Sequence, residues 1–85
     1  MPTKRNQALI YKKVPPFLRK MREEAGLTQR QLADRIKQDQ WWVARSETGS
    51  RRLDFAEFIE FCTGCRVSPA DALTELARLR RDSAH

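Results

Sequence analysis

Gln40, Trp41, Ala44 and Arg45 gather an amide, an indole and a guanidinium around one small residue. These are groups that read base edges. An amide pairs with adenine, a guanidinium takes guanine O6 and N7, and an apolar surface meets a thymine methyl. Ala44 would let the backbone approach closely. Spacing brings the four together: Asp39 can cap a helix beginning at Gln40, and a helical wheel turns about 100° per residue. Gln40, Trp41, Ala44, Arg45 and Thr48 then share one arc, and Trp42, Val43 and Ser46 share the other. A polar arc on a short helix is most often simply wet. An exposed Trp at its centre, in a basic chain, favours recognition.

A second helical pattern stands immediately before it. Thr28 and Gln31 have capping-box spacing, and Leu32, Ala33 and Ile36 fall on one side of the helix that follows. Lys37-Gln38-Asp39 separates the two. The combination of Arg22, Gly26-Leu27-Thr28-Gln29, Leu32-Ala33, Glu47-x-Gly49 and Arg51-Arg52-Leu53-Asp54 resembles the lambda-repressor-like (Cro/cI, XRE) helix-turn-helix domains, over roughly residues 16–73.

That resemblance implies a five-helix, all-α DNA-binding fold in which Gln40–Thr48 is the recognition helix. It matches Gln29 to a phosphate-contacting glutamine at the start of the preceding helix. It pairs Arg22 with Glu47, tying helix 1 to the end of the recognition helix as a structural link. Two positions depart from the family pattern. Lys37 stands where glycine is common, so a left-handed turn there costs about a kcal/mol. Ser46 stands where an apolar residue packs inward, and Trp42 is expected to fill that space while Trp41 projects outward.

The 85 residues carry a formal charge of +6 and a pI of about 10.0, a balance that suits a polyanion through counterion release. Their length allows one domain with a marginal core. Residues 1–22 hold Lys4, Arg5, Lys12, Lys13, Arg19, Lys20 and Arg22 and no acid. Residues 1–14 read as a basic arm laid along phosphates, with Lys4 and Arg5 as contacts, or equally as a solvated tail. Within them Ala8-Leu9-Ile10-Tyr11 is a short strand or helix that packs on the domain or on a second subunit. No apolar run approaches the ~20 residues of a bilayer span, and no signal-like segment follows Met1. A cytoplasmic, nucleoid-associated location is therefore expected.

The domain proper reads as 15–85, with the helix-turn-helix at about 28–48. Pro15-Pro16 opens helix 1, and Gly26 suits its left-handed end. Ser50, Arg51 and Arg52 form a basic loop past the recognition helix, suited to phosphates. Asp54 caps helix 4, whose Phe55, Phe58, Ile59 and Cys62 are spaced as a core stripe. Cys62-Thr63-Gly64-Cys65 lacks the four ligands of a structural zinc and any βαβ redox setting, so both cysteines read as small core hydrophobes. Ser68-Pro69 starts the last helix, 68–82, whose apolar side serves core closure or a two-fold interface through Leu73, Leu76, Ala77 and Arg80.

The expected function is sequence-specific binding of double-stranded operator DNA. The expected form is a small homodimeric repressor, or repressor/activator, of phage or mobile-element type. Gln29, Gln40, Trp41, Ala44, Arg45, Ser50, Arg51, Arg52, Lys4 and Arg5 are the expected contacts. No metal, cofactor, small-molecule ligand or membrane partner is implied. A rival on the same fold is a protein-interaction module, an antitoxin or antiactivator, that would use Trp41 as a protein hot spot. An enzyme is not expected: the one histidine is His85, and no nucleophile–base set or carboxylate pair is apparent.

Overall fold

Two prolines lie in the first turn of the helix that opens at Val14 in the computed structural model, which describes residues 10–83. Lys13 holds the cap position without a side-chain bond, and Pro15 lies in the first turn, where its missing N–H costs nothing. This helix, α1, spans Val14–Glu24 and is followed by Gly26 at φ 75°. Helix α2, Gln29–Ile36, opens with the capping box: Gln31 N donates to Thr28 Oγ1 at 3.1 Å, and Thr28 N donates to Gln31 Oε1 at 2.9 Å. It ends on Lys37 in the left-handed region, φ 58°. Lys37 therefore takes the strained conformation that glycine would relieve.

Helix α3, Gln40–Thr48, closes on Gly49 at φ 86°. Helix α4, Phe55–Gly64, has a second capping box, in which Glu57 answers the expected Asp54 cap. A second left-handed non-glycine residue, Arg66 at φ 60°, follows it. Helix α5, Pro69–Ser83, starts with Asp71 N donating to Ser68 Oγ at 3.3 Å. Among the described residues there is no strand, and no helix is long and apolar enough to cross a membrane.

Every helix contributes to one core: Leu18 and Met21 of α1, Leu32 and Ala33 of α2, Trp42 and Val43 of α3, Phe61 and Cys62 of α4, and Ala72 and Leu76 of α5. Ser46, fully buried, meets the need of its hydroxyl inside its own helix by donating to Trp42 O at 2.8 Å. Burial corrects the expected stripe of α4. Phe55 is 84% exposed and Ile59 49%, while Phe61 and Cys62 are buried and Phe58 is half-buried. The helix is apolar on two sides, and spacing alone does not say which side faces α2.

Gly64 is where α4 meets α2 most closely. A Cβ there would lie 2.6 Å from both Leu32 Cδ1 and Ile36 Cγ2, and its carbonyl accepts from Arg35 Nη1 at 3.0 Å. Gly64→Ala is expected to destabilise the fold by roughly 1 kcal/mol net, overpacking outweighing the gain in helix propensity. Urea unfolding measures this, and an unchanged or higher midpoint would show that Leu32 and Ile36 yield freely.

Burial pushes both thiols up, Cys62 and Cys65 each to about 11 from 9.0. Neither is expected to react with a thiol reagent until denaturant opens the core. Above pH 9 an unfolded thiol ionises before a folded one. Their contribution to stability is therefore complete below pH 9 and is lost as pH rises toward about 11. A Cys62→Ala/Cys65→Ala variant whose stability fell just as steeply across that window would assign the loss to other groups.

Candidate nucleic-acid interface

The platform beneath the outer face of α3 is a buried ion pair. Arg22 Nε meets Glu47 Oε2 at 2.6 Å and Arg22 Nη2 meets Glu47 Oε1 at 3.0 Å, a bidentate fork suited to a planar guanidinium. Arg22 Nη1 donates to Leu27 O at 2.7 Å, so all three nitrogens are engaged. The hydrogen bond to the Glu47 carboxylate pushes the Arg22 pKa further above its already high ordinary value. The pair ties α1 to the C-terminal turn of α3, as the family resemblance implies. Gln29 joins it, Nε2 donating to Glu47 Oε1 at 3.2 Å. The half-buried glutamine at the start of α2 is thus held by the same carboxylate that fixes α3.

On the opposite side of α3, Trp42 is buried at 5% exposure and Trp41 stands out at 53%. The wheel assigns them the same way. Trp41 does not wave freely. Its Nε1 donates to Asp39 Oδ2 at 3.1 Å, and the Arg45 guanidinium carbon lies 5.2 Å from its ring centroid, a cation–π contact. Asp39 sits at the cap position but makes no capping bond; its carboxylate serves the indole instead. Gln40 is exposed, its Oε1 accepting from Arg30 Nη2 at 3.3 Å. Ala44 is half-buried between these groups in sequence and Arg45 is exposed. An amide, an indole and a guanidinium therefore share one accessible surface.

The loop after α3 divides its residues. Ser50 is exposed, near Thr48 and the Arg45 carbonyl. Arg52 is exposed and lies over the Tyr11 ring, 4.3 Å from its centroid. Arg51 turns inward: Nη2 meets Glu57 Oε2 at 2.8 Å, and the guanidinium covers Trp42 at 4.7 Å. Its Nη1 is buried with no hydrogen-bond partner in the described structure, so the aromatic face is its main neighbour. Arg51 holds the Glu57 carboxyl below its ordinary value, helped by the Asp54 backbone. Expected as a phosphate ligand, Arg51 is already engaged in packing α3 against α4. In the sequence the signal for this is Glu57, six residues later, beside its capping role.

Lys4 and Arg5 lie outside the described residues. Of the Ala8–Tyr11 segment, Ile10 and Tyr11 are helical, and Leu53 N donates to the Tyr11 hydroxyl at 3.1 Å. On α5, Leu73 is 54% exposed, and Ala77 and Arg80 are exposed. Leu76, at 8% exposure, faces the core. Leu76 nonetheless lines an apolar groove between α4 and α5 together with Leu73, Phe55 and Phe58, so two residues of the expected set, Leu73 and Leu76, meet at one surface and Phe55 joins them there.

A helix-turn-helix domain model matches residues 17–76. The structure is similar to an XRE-family like protein from Pseudomonas syringae pv. tomato, with a TM-score of 0.85 and 35% identity over 92% of this chain and 95% of that one. It is also similar to the clp gene regulator ClgR from Corynebacterium glutamicum: 25% identity, TM-score 0.72, over 80% of this chain and 88% of that one. A second ClgR structure shares the fold at a TM-score of 0.76, with 24% identity over 88% of this chain and 80% of that one. A search of curated protein sequences finds no match.

Proposed function

Because the chain belongs to the XRE-type helix-turn-helix family, we propose that it is a sequence-specific, double-stranded-DNA-binding regulator of transcription. Helix α3 enters the major groove with its outer face to the bases. Gln40 reads an adenine or guanine edge, Arg45 reads guanine O6 and N7, and Trp41 packs on apolar base surface with Ala44 allowing the close approach. Gln29, Ser50 and Arg52 hold the backbone. The observation that carries this reading is the outward stack of Arg45 on a Trp41 fixed by Asp39. A guanidinium held in place before binding loses less freedom on binding.

The protein acts as a homodimer on a pseudo-palindrome, with two α3 helices about one helical turn apart. Phe55 and Leu73 support this: two large apolar side chains stand exposed along one groove between α4 and α5, a patch of the kind that a partner covers. Leu73→Glu is expected to yield folded monomers in sedimentation experiments, because Leu73 contributes little to its own core. A persistent dimer would move the interface elsewhere. A small repressor of phage or mobile-element type is the role we favour for such a dimer.

The test is binding to the DNA upstream of the protein's own gene at two salt concentrations with scrambled competitor. A protected, roughly palindromic site competed only by itself is expected. Weak binding, equal for both sequences and lost with salt, would overturn the reading in favour of a protein-interaction module.

A further inference from the structure

The N-terminus of α1 and the C-terminal end of α3 enclose an open groove of about 500 Å³. We infer that this groove seats a DNA-backbone phosphate, with Lys12 and Arg19 of the α1 side acting together with Arg52. The inference rests on the DNA-binding reading and assigns new contact residues within it.

Charge makes the first argument. Lys12, Arg19 and Arg52 all line the groove, and the one acid on its wall, Glu47, is buried. Both Glu47 oxygens are already taken by Arg22, so little negative charge is presented to the opening. Lys12 and Arg52 have no ion-pair partner among the described residues, and Arg19 pairs only with exposed Glu23 at 3.1 Å. Screened surface pairs of that kind are worth little and exchange readily for a phosphate.

Construction makes the second. Arg52 is not a loose loop cation: it rests on the Tyr11 ring, and Tyr11 is anchored to the α3–α4 loop by the hydrogen bond from Leu53 N. That bond uses the Tyr11 oxygen as acceptor, so the phenolic proton remains available to an anion. Gly49 packs against Pro15 so tightly that a Cβ would sit 3.2 Å from Pro15 Cγ. The two walls of the groove therefore hold their spacing.

Position makes the third. Helix α3 has nine residues; at 1.5 Å per residue it is roughly 13 Å long, close to the ~12 Å width of the major groove. With Gln40 and Trp41 at its start on the bases, groups at its far end reach a sugar-phosphate wall. Gln29, hydrogen-bonded to the Glu47 that lines this groove, stands at the same end of α3.

The test compares three full-length proteins by the slope of log affinity against log salt, on an operator and on scrambled DNA. Lys12→Gln/Arg19→Gln is expected to flatten the slope by about 1–2, the loss of one or two phosphate contacts, on both DNAs alike. The control Lys20→Gln/Arg66→Gln removes the same charge away from the groove and is expected to leave the slope nearly unchanged. Circular dichroism on all three separates binding from folding. Equal flattening by both variants would reduce the groove to net charge and overturn the inference. So would an unchanged slope in the groove variant. If the wild-type protein itself shows no preference for any DNA sequence, the DNA-binding reading fails and takes the groove with it.

Discussion

Glu47→Ala is expected to cost about 3–5 kcal/mol of folding stability, the loss typical of breaking a buried ion pair on one side. The Glu47 side chain is 2% accessible and that of Arg22 9%. Removing the carboxylate leaves a charged guanidinium buried with only the Leu27 carbonyl at 2.7 Å. The same deletion frees Gln29, whose described hydrogen bond is to Glu47. Three elements, α1, α2 and α3, lose their shared fastening at once. A domain this small has little stability to spare, so most of the molecules are expected to be unfolded at physiological temperature. Glu47→Gln keeps an acceptor and should be milder; Arg22→Lys should not rescue, because an ammonium cannot reproduce the fork. Urea unfolding decides the matter, and a loss below 1 kcal/mol would show that water takes the place of the carboxylate.

Arg45→Ala is expected to leave the fold intact and to damage recognition. Arg45 is exposed, so the substitution removes no core contact. A bidentate guanine contact is worth roughly 1–3 kcal/mol, and discrimination at that base goes with it. In the proposed dimer the residue acts in both half-sites, so the loss at an intact operator approaches about 2–6 kcal/mol. Binding to scrambled DNA should fall far less. Operator variants changed at each base in turn would show preference relaxing at one position per half-site; full retention of preference would remove Arg45 from the reading set.

Legibility followed locality. The Thr28–Gln31 box, the Ser68–Pro69 start and the left-handed Gly26 are decided within a few residues of chain, and they were readable. The outward and inward tryptophans were readable too, because a wheel needs only the helix period. The Arg22–Glu47 pair spans 25 positions and came from family resemblance. What escaped depends on how helices meet. Phe55 and Ile59 carry the same spacing as Phe58 and Cys62, and only docking on α2 decides which side is dry. Leu73 and Leu76, both expected at an interface, differ in burial for that reason, 54% against 8% exposed. Arg51 and Arg52 are neighbours of one type, yet the first lies on Trp42 and the second on Tyr11. Gly64 looked like the filler of a Cys-x-x-Cys motif and proved to be the point where two helices touch.

The two tryptophans make the molecule its own instrument. Both sit on α3, one residue apart, in opposite surroundings: Trp42 sealed under Arg51, Trp41 open to solvent. Indole emission follows local polarity and is quenched by stacking. Trp42 therefore reports whether the domain is folded, and Trp41 reports whether its outer surface is occupied. Replacing either one by phenylalanine leaves a protein with a single tryptophan, and the two variants report folding and surface occupancy separately without a label.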